Sequence, residues 1–86
     1  METKFDNIQG DEIKDFYALI SENVKLFRHE KNISQMDLGL EIGIKSVAFF
    51  SNCESNRYDK HFNMEHIYKI AKALDKDVCE FFTKNS

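Results

Sequence analysis

SQMDLGLEIGIKSVAFFSNCESN, residues 34–56, is the stretch whose reading decides the fold. Leu38 and Ile42 lie four apart, on one face of a short helix. Ser34 stands where an N-cap belongs, and Asp37, three residues on, is placed as the acidic partner of a capping box. Gly43 suits the left-handed residue that closes a helix. Gly39 costs ~1 kcal/mol against alanine inside a helix, a cost tolerated where another backbone must come close. After the polar turn Lys45-Ser46, Ser46 caps a second helical run from Val47 to Cys53. Phe50 and Cys53 share its core-facing side; Phe49 and Asn52 share the neighbouring, outward side. Two helices this short bury little alone, so a third must pack behind them.

A helix, a turn and a second helix of these proportions resemble the phage-repressor-like (Cro/repressor, or XRE) family of helix-turn-helix DNA-binding domains. The resemblance is carried by Ser34, Gln35, Leu38, Ile42 and Gly43, then by Phe49, Phe50, Ser51 and Glu54. Gly43, Ile44, Lys45 and Ser46 match the variant whose turn is one residue longer. Gly39 departs from the usual alanine, Cys53 from a branched apolar residue, and Asn56 from the glycine after the second helix. Asparagine also tolerates the left-handed conformation. The likeness continues through Leu74 and Phe81, covering residues 21–83. It implies an all-α, five-helix bundle with a central helix-turn-helix and a long first helix. It also implies a transcriptional regulator that inserts helix 46–55 into the major groove of double-stranded DNA.

Carried over residue by residue, the resemblance assigns Gln35 to a phosphate at the start of the first motif helix. Lys45 and Ser46 meet phosphate or the first base at the tip of the reading helix. Ala48, Phe49 and Asn52 face the groove. Asn52 is the strongest base reader by chemistry, since its amide can bond adenine through two atoms at once. Ala48 and Phe49 suit a thymine methyl. Asn56, Arg57, Tyr58 and Lys60 follow the reading helix and hold the DNA backbone. Phe49 has an equal alternative, partial burial against Tyr58 or the turn.

The composition bounds these expectations. Eighty-six residues make one domain, taken as 11–86 after a flexible segment 1–10, with 42% apolar residues for one small core. The absence of proline, with only three glycines, favours an all-helical chain. No run is long and apolar enough for a signal peptide or a membrane span. Cys53 and Cys79 both sit in apolar helical contexts, as two reduced core thiols of a cytoplasmic protein would. The net charge of −3 is awkward for a DNA binder, but residues 1–23 carry six acids against two bases. That segment holds −4, leaving +1 for residues 24–86. A neutral module can bind DNA through a local patch with modest nonspecific affinity.

From Asp11 a long amphipathic helix is expected. Ile13, Phe16, Ile20, Val24 and Phe27 recur at steps of three and four, flanked by Tyr17 and Leu26. Acids at its start and Arg28, His29 and Lys31 at its end fit the helix dipole, and Asn32 can cap it. The portion 11–20 precedes the family resemblance; a longer core stripe is the favoured reading, and a dimer-forming surface the other. Residues 54–62 are expected to form a polar loop. Asn63 caps a fourth helix with Ile67, Ile70, Ala71 and Leu74 inward and Lys69, Lys72 and Lys76 solvated. A fifth helix, 77–82, closes the core through Val78, Phe81 and Cys79.

His61, Glu65 and His66 are the nearest approach to a metal set, but there is no His-Glu-x-x-His and no Cys-x-x-Cys. No glycine-rich phosphate loop occurs. No enzyme, metal, cofactor, membrane or small-molecule ligand is therefore expected. A second reading keeps the fold as a helical protein-interaction module without DNA binding, supported by the negative charge, few arginines and the aromatic N-terminal stripe. DNA binding is preferred because groove-facing residues stand at the matching positions. One reading helix covers few base pairs, so a homodimer is expected, through Phe5, Ile8, Ile13 and Phe16 or through Phe81 and Phe82.

Overall fold

Capping chemistry explains why helices begin at Gln35, Val47 and Met64 and where the α-helices end. The computed structural model describes residues 10–85. The expected fraying of residues 1–9 lies outside them, as do Phe5 and Ile8. Among the described residues the chain is all-α, with four α-helices, two 3₁₀ helices and no strand. These are α1 (Gly10–Glu30), α2 (Gln35–Glu41), α3 (Val47–Ser55) and α4 (Met64–Ala73), with 3₁₀ helices at Arg57–Asp59 and Val78–Phe82. Gly10, expected in the loose N-terminal segment, is already helical. The expected fifth helix is the 3₁₀ helix 78–82, too short for an α-helical core stripe.

Ser34 Oγ accepts from the Asp37 amide at 3.0 Å, and Ser46 Oγ from the Phe49 amide at 3.1 Å. Three helices close with the same two-bond pattern around a left-handed residue: Asn32 after α1, Gly43 after α2 and Asp75 after α4. The long bond of each runs from Ile33 N to Arg28 O, Ile44 N to Gly39 O and Lys76 N to Ala71 O. Gly43 has φ +88°, and Gly39 is the site of a close approach. A Cβ there would stand 3.0 Å from the Ile44 carbonyl oxygen and 3.5 Å from the Phe50 ring. The expected backbone approach thus comes from the turn itself.

The core joins Ile20, Val24 and Phe27 of α1 to Leu38, Phe50, Cys53, Ile67, Ile70 and Leu74. Phe81 seals one end, edge-on to Phe27 at 5.1 Å between ring centres, and Phe62 meets Phe50 at the same distance. Asn23 of α1 ties down the chain after α4, its Nδ2 donating to the Phe81 and Thr83 carbonyls.

Several expectations need correction. The apolar stripe of α1 is not core along its whole length: Ile13 is 45% and Phe16 47% exposed, because α1 outruns the body it packs on. Val78 and Cys79 are exposed as well, since a single five-residue 3₁₀ helix presents one edge to the core and Phe81 occupies it. Residues 54–62 are not a wholly polar loop: Glu54 belongs to α3, and both Glu54 and Phe62 are buried. Lys76 is not simply solvated; it lies 4.5 Å over the Phe27 ring and 3.4 Å from Glu30.

At the start of α4 a capping box forms in which Asn63 Oδ1 accepts from the His66 amide and His66 Nδ1 accepts from the Asn63 amide. The second bond requires an unprotonated Nδ1. Burial lowers the His66 pKa below 6.5; Glu65 opposes that shift and Lys69 adds to it. As pH falls, the unfolded chain therefore takes up this proton before the folded one does. The stabilisation is complete above the unfolded value and is lost as pH drops through the folded one. Acidification from about pH 7 to about pH 5 should lower the melting temperature of the wild type more than that of His66→Gln, which keeps the cap without titrating. Equal losses would remove His66 as the cause.

Candidate nucleic-acid interface

The inner side of α3 is fixed before its outer side can matter. Arg28 of α1 donates from Nε and Nη2 to the two carboxylate oxygens of Glu54, each at 2.9 Å. Its Nη1 donates to the Ile33 carbonyl at 2.9 Å, and Gln35 Nε2 donates to Glu54 Oε1 at 2.8 Å. One buried carboxylate thus fastens α1, the start of α2 and the end of α3 together. Bidentate guanidinium–carboxylate geometry fixes orientation as well as distance. Cys53 beside it is buried, which raises its thiol pKa, with Lys60 opposing. It is therefore protonated at neutral pH.

With that side locked, α3 leaves Ala48 exposed and Asn52 half-buried on the other. Lys45 and Ser46 stand exposed at its N-terminal tip, where Ser46 Oγ is already engaged as the cap. Arg57, Tyr58 and Lys60 are exposed in the segment that follows. In sequence these residues belong to one helix and its two flanks. Lys45, Arg57 and Lys60 supply their positive charge, against Asp59 in the same segment.

Three residues assigned to the interface have a different occupation. Gln35 is half-buried and spends an amide hydrogen on Glu54, so it braces the end of α3. Phe49 is half-buried against the core and sits edge-on to His66 at 6.3 Å. Partial burial is thus its position, though its neighbour is His66 and not Tyr58, which is 76% exposed. Asn56 is left-handed, with φ 56°, and its Oδ1 is approached by Ser21 Oγ at 3.2 Å and His61 Nδ1 at 3.0 Å. Its side chain is an internal brace.

Sequence reasoning missed the Arg28–Glu54 pair, and a signal for it existed. Arg28 stands four residues after Val24, and Glu54 four after Phe50, positions that helical spacing turns inward. Reading Arg28 as a dipole partner at the helix end hid this. The His61 and Glu65 pairing considered for a metal also dissolves: His61 lies flat on Tyr17, and Glu65 binds Lys69 at 3.1 Å.

The segment after α3 is strained. Tyr58 and Asp59 both have φ 57°. A left-handed conformation costs a residue with a side chain about 1–2 kcal/mol, and such strain collects at functional sites. Comparison with protein-family models, curated proteins and solved structures found no match to this chain.

Proposed function

We propose that this chain binds double-stranded DNA in a sequence-specific way, as a transcriptional regulator acting in the cytoplasm, with α2 and α3 as a helix-turn-helix and α3 as the reading helix. The observation that carries the reading is the division of α3. Glu54, Cys53 and Phe50 are held inside by α1 and α2, while Ala48 is exposed and Asn52 half-buried, with Lys45 exposed at one end of the helix and Arg57, Tyr58 and Lys60 at the other. A helix held this rigidly can set its outward side chains against base edges with little further loss of entropy. Asn52 reads adenine, Ala48 and the exposed edge of Phe49 meet a thymine methyl, and Lys45, Arg57 and Lys60 hold phosphates.

The outcome expected of mutation follows from these roles. After selection of preferred duplexes from a random pool, Asn52→Ala should cost about 1–3 kcal/mol in affinity and relax preference at one base pair. Lys45→Ala or Arg57→Ala should weaken all duplexes alike and flatten the salt slope by about one unit. An Asn52→Ala protein with unchanged affinity and preference would mean that another face of α3 reads the DNA.

The protein binds as a homodimer on paired half-sites in this reading, because one α3 covers too few base pairs. Ile13 and Phe16, exposed on α1, with Phe82 stacked on Phe16 at 6.1 Å, provide the pairing surface. Phe81 does not contribute, being fully buried. A second reading, a helical protein-interaction module, draws on the exposed Met36, Leu40, Met64 and Tyr68. It would leave the chain without affinity for duplex DNA at low salt.

A further inference from the structure

The segment from Asn56 to His61 makes a small closed loop. Its two ends are joined side chain to side chain, His61 Nδ1 to Asn56 Oδ1 at 3.0 Å. The closure is pinned to α1 twice. The His61 ring lies on the Tyr17 ring at 3.7 Å between centres, with the planes 7° apart. Ser21 Oγ reaches both the Cys53 carbonyl at 2.9 Å and Asn56 Oδ1 at 3.2 Å. Between the pinned ends stand Tyr58 and Asp59, both left-handed, and Tyr58 projects into solvent. A free loop of this sequence would relax out of that conformation, since neither residue is glycine and Tyr58 gains no burial by staying in it.

We propose that Tyr17 and His61 are positioning residues: by clamping the ends of loop 56–61 against α1, they hold Arg57, Tyr58 and Lys60 in a strained shape ready to receive a DNA backbone. This rests on the DNA-binding reading above. It gives the N-terminal half of α1, whose Ile13 and Phe16 lie outside the core, a task in binding through Tyr17, which follows Phe16. The clamp acts on backbone contacts and not on base contacts, because Asn52 is held by α3 and not by the loop. Its loss therefore lowers affinity without changing the preferred sequence.

Four variants of the full chain test this, each measured for melting temperature and for salt-dependent affinity to a selected duplex and to an unrelated duplex. Tyr17→Leu and His61→Ala should weaken binding to both duplexes by a similar factor, about tenfold, and flatten the salt slope by about one to two units as ordered phosphate contacts are lost. Tyr17→Phe, which keeps the stacked ring, should retain wild-type affinity and slope. Tyr58→Gly, which relieves the left-handed strain at an exposed side chain, should raise the melting temperature. Wild-type affinity and salt slope in both Tyr17→Leu and His61→Ala would overturn the proposal, as would a melting temperature for Tyr58→Gly below that of the wild type. Should Tyr17→Leu fail to fold, His61→Ala and Tyr58→Gly decide. A wild-type chain that binds neither duplex would instead overturn the DNA-binding reading, and the clamp's role with it.

Discussion

Phe50→Ala should cost the chain about 3–5 kcal/mol of stability, the largest loss expected of any single side chain in α3. The ring is fully buried where α2, α3 and the segment leading into α4 converge, against Phe62 and beneath Gly39. Truncating a buried phenylalanine removes its transfer free energy and leaves a cavity, together costing about 3–5 kcal/mol. A domain this small has a total stability on the order of 5–10 kcal/mol, so from about a third to all of it is lost. Phe49→Ala should be far milder, since that ring is only half-buried at the edge of the cluster. Chemical denaturation of the two variants separates them. Similar midpoints for both would contradict the facing of α3 on which the interface depends.

Removing one member of the buried ion pair should be nearly as severe. Arg28→Ala leaves the Glu54 carboxylate buried with only Gln35 of its two partner side chains, and breaking a buried pair by one partner costs about 3–5 kcal/mol. The Ile33 carbonyl loses its donor from Arg28 in the same change. Replacing both partners by methionine should recover much of that loss, since two desolvated charges are exchanged for apolar groups of similar length. If α3 reads DNA as proposed, the recovered protein should nevertheless bind it less well, because the geometry that holds α3 to α1 and α2 is gone. A loss below about 1 kcal/mol for Arg28→Ala would show the pair to be solvated and not a fastening.

What could be read from the sequence divides along a physical line. Local chemistry was legible. The caps at Ser34, Ser46 and Asn63 and the left-handed residues Gly43 and Asn56 depend on residues a few positions apart, and the structure has all five. The inward faces of α2, α3 and α4 were legible too, because their apolar spacing is unbroken. Interactions between distant segments were not. The Arg28–Glu54 pair joins residues 26 apart, and a charged residue at an inward helical position looks by default like a solvated one. The outcome for α1 shows the limit of periodicity: Ile13 and Phe16 continue the stripe of Ile20 and Val24, but a stripe does not say where the partner surface ends. Of the expected interface, spacing turned Phe49 and Asn52 outward, and both are half-buried; Ala48, placed outward by the resemblance alone, is exposed. The bracing roles of Gln35 and Asn56 depend on where Glu54, Ser21 and His61 arrive in space, which no local pattern encodes.

The most direct measurement is the titration of the 86-residue chain with a duplex selected from a random pool, at several salt concentrations, with stoichiometry read from the same titrations. Two chains should bind per palindromic site, and affinity should fall steeply with salt, reflecting release of counterions by the phosphate contacts. An unrelated duplex should bind at least about a thousandfold more weakly. A chain that selects no sequence, and shows no salt-dependent binding to any duplex even at low salt, would contradict the account.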